Sequence, residues 1–131
     1  MSGFTDYLED ALLKNVFKKT AYTSPTTVYA ALFTVAPSDT GGGTEVSTSG
    51  TAYARQSMAF SVSGTGTLAT NSAAVEYPTA TADYGTVVAV GIFDASTSGN
   101  LLAYASLTAN KTVASGDVFR FNAGDVDITL T

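Results

Sequence analysis

Thr86-Val87-Val88-Ala89-Val90-Gly91-Ile92-Phe93 is the most apolar stretch of the chain. It is rich in β-branched residues, uncharged, and too short for a core helix. Tyr84-Gly85 precedes it and the turn-forming Ser96-Thr97-Ser98-Gly99-Asn100 follows. An apolar run bounded by such signals predicts a strand at the centre of a sheet. Downstream, Leu101 to Leu107 reads as the next strand, Asn110-Lys111-Thr112 as turn-like, and Ser115-Gly116-Asp117 as a turn before a strand over Val118 to Phe121. Asp125 to Leu130 alternates Val126, Ile128 and Leu130 against Asp127 and Thr129, the period of a half-buried strand.

Upstream, Ala73 to Tyr77 is a short strand stopped by Pro78, and Thr65 to Thr70 a shorter piece with Gly64-Thr65-Gly66 as its turn. Thr51 to Val62 reads as one strand region with Tyr53, Met58, Phe60 and Val62 inward. Thr27 to Val35 carries Tyr29, Ala31, Phe33 and Val35 on one face and Val28, Ala30 and Leu32 on the other. Both faces are apolar, which predicts a strand covered on both sides. Between these two lie Ala36-Pro37-Ser38-Asp39-Thr40-Gly41-Gly42-Gly43 and the remainder of a Gly41–Gly50 loop, read as flexible and able to reach a neighbour. About seven or eight strands in about 105 residues, with frequent turn signals and no long repeat, predict a mainly β, single-domain β-sandwich or jelly-roll-like fold.

One segment is different. From Phe4 to about Lys19, apolar residues recur at helical spacing, Leu8, Leu12 and Val16 with Ala11 beside them, and Leu13 and Phe17 add a second apolar edge. Ser2 or Thr5 is the expected cap. Asp6, Glu9 and Asp10 come early and Lys14, Lys18 and Lys19 late, the order the helix dipole favours. Residues 1–20 are thus an N-terminal helix docked on the domain or on a neighbour, residues 21–131 the β-sandwich, one domain in all. Leu8, Leu12 and Val16 are expected to be buried against the core or a partner. A basic polar face suited to a membrane surface is missing.

Composition narrows function. The chain has 131 residues with no histidine, cysteine or tryptophan. Without histidine and cysteine it lacks the commonest general base, the commonest metal ligand and any thiolate nucleophile. Charged residues are 13% of the chain, the formal net charge is −5 and the pI about 4.3. Such an acidic protein is repelled by nucleic acid and anionic membranes, so neither is an expected partner. No apolar run spans a bilayer and the first residues do not read as a signal peptide.

Candidate chemistry is sparse. Glu76, Asp83, Asp94, Asp117, Asp125 and Asp127 mostly border turns, where Asp bonds nearby backbone N–H groups. Asp125 and Asp127 share a strand face and are the candidates for a structural Ca²⁺, but no EF-hand-like spacing accompanies them. Gly41-Gly42-Gly43 has no lysine and is no phosphate cradle. No catalytic residue, cofactor or metal site is expected, and the chain is read as a non-enzyme. Arg55, in an apolar strand, is expected to pair with a carboxylate and brace strand to loop, because an unpaired buried charge is costly. Tyr22, Tyr53 and Tyr84 are candidates for exposed interface aromatics. The candidate interface residues are Leu8, Leu12, Val16, Gly41, Gly42, Gly43, Tyr53 and Arg55.

Several stretches recur together in order: Phe4-Thr5-Asp6-Tyr7-Leu8-Glu9 through Thr20-Ala21-Tyr22, Val28-Tyr29-Ala30-Ala31-Leu32-Phe33-Thr34, Ala36-Pro37-Ser38-Asp39 and Gly42-Gly43-Thr44-Glu45-Val46. Tyr53-Ala54-Arg55-Gln56, Tyr84-Gly85-Thr86-Val87, Gly91-Ile92-Phe93-Asp94, Gly99-Asn100-Leu101-Leu102 and Gly116-Asp117 to Gly124-Asp125 continue the series. The series resembles a family of small tailed-phage virion structural proteins, often labelled phage tail fibre or minor structural protein, which often has Trp at the position of Tyr84. The resemblance implies a virion component, made in the host cytoplasm, with no catalytic residues. Two placements follow. One is a capsid decoration or cement protein that binds the head shell, with the major capsid protein as partner. The other is a tail component, a fibre-base, baseplate or adaptor subunit with tail proteins as partners. Decoration is put first, on small size, acidic charge, a dockable helix and a reaching loop. A homo-oligomer is expected in either case. A receptor- or glycan-binding module ranks below both.

Overall fold

A computed structural model describes residues 2–62, 64 and 66–129; Leu130 and Thr65, assigned above to a strand and a turn, lie outside them. The elements are β1 (Ser2–Phe4), α1 (Asp6–Phe17), β2 (Tyr29–Val35), β3 (Thr44–Glu45), β4 (Gln56–Ser57), β5 (Phe60–Val62), β6 (Leu68–Asn71), β7 (Val75–Glu76), β8 (Gly85–Phe93), β9 (Leu101–Val113), β10 (Arg120–Phe121) and β11 (Asp127–Thr129). One antiparallel sheet runs β1-β9-β8-β2, and the outer edge of β2 is lined in turn by β4 and β3. A three-stranded sheet, β11-β6-β5, and the pair β10-β7 supply the opposing layer. The chain is mainly β and β-sandwich-like, with one N-terminal helix.

β8 lies inside the large sheet, hydrogen-bonded to β2 on one side and β9 on the other. Its ladder with β9 is irregular between Val87 and Ala89, where Val87 faces Lys111 but Ala89 faces Ser106. A bulge breaks the alternation of side-chain direction. Val87 therefore joins Val90 and Ile92 in the main core, while Ala89 faces the other way with Ala31 and Phe33. The extra residues keep β9 going to Val113, so Asn110-Lys111-Thr112 is strand rather than turn. Thr112 and Thr86 hydroxyls meet across it at 3.0 Å.

β2 is covered on both faces, as its composition requires: Ala30 and Leu32 enter the main core, Ala31 and Phe33 the smaller outer cluster. The Thr51–Val62 region is not one strand. β4 pairs with β2 and β5 with β6, and buried Met58 marks the crossing between layers. Tyr53 and Met58 point inward and Phe60 packs partly on the core, but Val62 stays 65% exposed on an outer strand. Residues 2–4, preceding the helix, add an edge strand to β9.

The main core is built on aromatics. Tyr53 stacks on Tyr77 with centroids 6.1 Å apart, Tyr84 meets Tyr53 edge-on at 5.7 Å, and Phe119 and Phe121 meet the Tyr77 ring edge-on. Each buried phenol reaches a partner, which removes the desolvation penalty such a hydroxyl otherwise carries. Tyr77 donates to the Ala30 carbonyl at 2.7 Å and Tyr84 to the Pro78 carbonyl at 2.8 Å. The Tyr53 hydroxyl accepts from the Leu32 N–H at 3.0 Å. That N–H falls in the gap between β3 and β4 along β2, so a side chain completes the edge where no strand does. Asn71, buried on β6, plays a similar part: its amide donates to the carbonyls of Ala73 and Asn122 and accepts from the Val126 N–H.

Candidate assembly surface

α1 begins at Thr5, whose N–H and hydroxyl both donate to the Leu102 carbonyl and whose hydroxyl also reaches the Leu101 carbonyl at 2.6 Å. The same hydroxyl accepts a long 3.5 Å bond from the Leu8 N–H. The helix start is thereby fixed to β9. Twelve residues carry the helix axis about 18 Å onward. Leu8, Ala11 and Leu12 are half-buried on the domain, and no residue of the helix is fully buried. Val16 does not join them: it is 56% exposed, with Leu13 at 59% and Phe17 at 76%. Leu13, Val16 and Phe17 have i, i+3, i+4 spacing and so share one face. The helix ends at Lys18; Lys19 takes a left-handed conformation (φ 58) and Thr20 N–H returns to the Lys14 carbonyl.

The carboxylate that pairs with Arg55 is Glu45. Its Nε donates to Oε2 at 2.9 Å and its Nη2 to Oε1 at 2.8 Å, a bidentate pair. Nη1 donates to the carbonyls of Ala95 and Ser98, and the guanidinium lies 3.7 Å from the centroid of the Phe93 ring. Arg55 therefore ties β3 to the loop between β8 and β9. Tyr53 donates to Glu45 Oε2 at 2.6 Å. Burial and that hydrogen bond hold the Tyr53 phenol far above its ordinary pKa; burial and the nearby Glu45 charge do the same for Tyr77. Tyr53 and Tyr84 are core residues, not exposed aromatics. Tyr22 is half-buried beside the helix, its N–H held by Asn15 Oδ1 at 3.1 Å.

The Gly41–Gly50 segment is not a free arm. Ser38 and Gly41 close a tight turn through paired backbone bonds, β3 pairs with β2, and Val46 is buried with its N–H on the Leu32 carbonyl. Gly41, Gly42 and Gly43 all have positive φ. At Gly43 a Cβ would stand 2.6 Å from the Val35 carbonyl oxygen, so only glycine fits. Ser47 to Gly50 remain exposed.

An open groove of about 500 Å³ lies over the outer face of the large sheet. Phe33, Phe93 and Leu101 form its floor; Asp6 and Tyr7 at the helix start, Asp39 and Glu45 stand around it with the three glycines. Phe33 and Phe93 stack at 6.1 Å, nearly parallel. Gly91 permits this, since a Cβ there would meet Phe33 at 2.6 Å. Asp39 accepts from the Tyr104 hydroxyl at 2.7 Å, and this bond raises the Tyr104 pKa. Of the expected interface residues, the structure brings Gly41, Gly42 and Gly43 to this groove. It leaves Val16 on the free end of the helix and puts Tyr53 and Arg55 into a buried network. Leu13 and Phe17, the more exposed apolar residues, were legible as the second edge of the helical pattern.

The acidic residues near turns act as turn holders. Asp94 accepts from Asn100, Asp117 from Ala114 N–H, Asp125 from Asn122 N–H and Asp83 from Ser115 N–H. Among the described residues no group of three or more His, Cys, Asp or Glu is arranged to hold a metal ion. No helix among them is long and apolar enough to cross a membrane.

No curated protein matches the chain. The family model described as podophage GP4 fiber I protein gp80 matches residues 3–129, from the edge strand through the last strand. Nearly the whole fold lies inside that match. The chain belongs to the podophage GP4 fiber I protein gp80 family, and it is a structural component of a phage virion.

Proposed function

We propose that the chain is a non-catalytic subunit of the tail-fibre apparatus, held in the particle by protein–protein contacts. The observation that carries this is the family match over residues 3–129, whose description names a fibre protein. The fibre in that description supports the tail reading, which we therefore put ahead of decoration of the head shell. A small acidic β-sandwich suits either place, so decoration of the shell is the competing reading. The non-catalytic part rests on the state of the polar groups. Glu45 is engaged by Arg55 and Tyr53, Asp39 by Tyr104, and Asp94 by Asn100. Carboxylates held by such partners serve as braces, which supports a structural role over one as acid or base. An exposed apolar helix end suits a subunit made to be covered. Quantitative peptide mass spectrometry of purified particles tests the placement. A copy number far below that of the major capsid protein is expected; one comparable with it would transfer the chain to the shell.

A further inference from the structure

Charge is unevenly spread along this chain. From Ala11 to Ser38 there is no acidic residue, and Lys14, Lys18 and Lys19 all fall there. Eight of the eleven acidic residues lie at or after Asp39, against three of the six basic ones. The free end of α1 is thus apolar and basic, with Leu13, Val16 and Phe17 exposed and Lys18 and Lys19 beside them. The groove over the outer sheet face is the reverse. Its floor is the half-buried Phe93 and Leu101 with Phe33 packed beneath them, and its surround holds Asp6, Asp39 and Glu45. Glu45 is already paired with Arg55, which also lies against the Phe93 ring, so Asp6 and Asp39 carry the unbalanced charge. Asp6 and Asp39 are exposed and carry no ion pair among the described residues.

The groove lies at the start of a rigid helix about 18 Å long and the apolar patch at its end, so the helix end does not reach back into its own groove. We infer that the helix end of one copy seats in the outer-face groove of a second copy. Phe17 and Leu13 cover Phe93 and Leu101 while Lys18 and Lys19 face Asp6 and Asp39. The chemistry is that of an amphipathic helix laid into an apolar groove, with complementary charge setting register and speeding encounter. Two different patches meet, so the contact is made reciprocally in a two-fold dimer or repeated around a ring. One helix turn in one groove is small beside a standard interface of about 1,600 Å². Making the contact twice or more in a closed assembly overcomes that. The inference requires that the chain be an assembling subunit; it does not require that the assembly be in the tail.

The test is sedimentation velocity of the purified full chain across concentration and salt, with circular dichroism and thermal melts as folding controls. The wild type is expected to self-associate, more weakly as salt screens the charges. Phe17→Asp should weaken association on the order of tenfold or more with an unchanged melt. Lys18→Glu and Asp6→Lys should each weaken it, and the Lys18→Glu/Asp6→Lys chain should recover part of the loss. A chain that is monomeric at all concentrations overturns the inference. So does association that Phe17→Asp leaves intact, or a double variant no better than its parents. Copy number in particles is untouched by these outcomes, so the fibre reading and this one fail separately.

Discussion

The core strands and the last turns of the helix are written in similar residues and treated in opposite ways. Leu32 and Val87 are fully buried, whereas Phe17 is 76% exposed and Leu13 and Val16 more than half exposed. Within the sandwich, apolar side chains of each layer meet those of the other, and every buried phenol finds an acceptor or donor. At the helix end nothing among the described residues covers Leu13, Val16 and Phe17. Periodicity states that a face favours burial; it does not state what covers it. In the sheets the cover is the opposite layer of the same chain, brought in from tens of residues away; at the helix end the inferred cover is a second copy.

The contrast can be broken at several points. Leu32→Ala, in the core, should lower stability by about 3 kcal/mol through lost transfer energy and a residual cavity, read as a shift in the denaturant midpoint at constant slope. Arg55→Ala should cost about 3 kcal/mol as well, since Glu45 would keep a partly buried charge with its bidentate partner gone. If Arg55→Ala were neutral, the network would be ornament on the outer face rather than part of the fold.

The buried phenols sharpen the same point through pH. The folded-state pKa values of Tyr53 and Tyr77 are both raised, so the unfolded chain releases these protons first. Their contribution is fully present below the unfolded value of about 10 and is lost as pH climbs from there toward the folded values. The expected slope is about 1.4 kcal/mol per pH unit for each tyrosine. In Tyr53→Phe the alkaline slope should fall by one tyrosine's share. An unchanged slope would mean that Tyr53 ionises as freely in the folded chain as in the unfolded one. Lys19→Gly, relieving a left-handed residue at the end of the helix, should stabilise by about 0.5–1 kcal/mol and leave the core's denaturation slope alone.

Much of the sandwich was legible because its signals are local. Thr86 to Phe93 declared itself by composition, Thr27 to Val35 by apolar residues on both faces, and Arg55 by the cost of an unpaired charge in an apolar run. What was missed depends on distant partners. Ser2 to Phe4 is a strand only because β9 offers an edge. Asn110-Lys111-Thr112 resembles a turn in composition but is pulled straight by its pairing with β8. Thr51 to Val62 is split because its halves serve different layers, which an alternation pattern cannot reveal. Tyr53 reads as inward from its strand pattern and as an interface aromatic from its residue type; the first holds, and the gap along β2 between β3 and β4 draws its hydroxyl inward. For the assembly surface, the helix end was legible as an apolar edge. The groove was not, since Phe33, Phe93, Asp6 and Asp39 converge only in the fold.

The most direct test of the account is competitive incorporation of Phe17→Asp and wild-type chains during particle assembly. The ratio of the two in purified particles is measured against the ratio in the lysate by peptide mass spectrometry. The account predicts a variant that melts like the wild type, within about 0.5 kcal/mol, and is strongly depleted from particles. Incorporation in proportion to abundance would contradict it, because the exposed helix end would then contribute nothing to assembly.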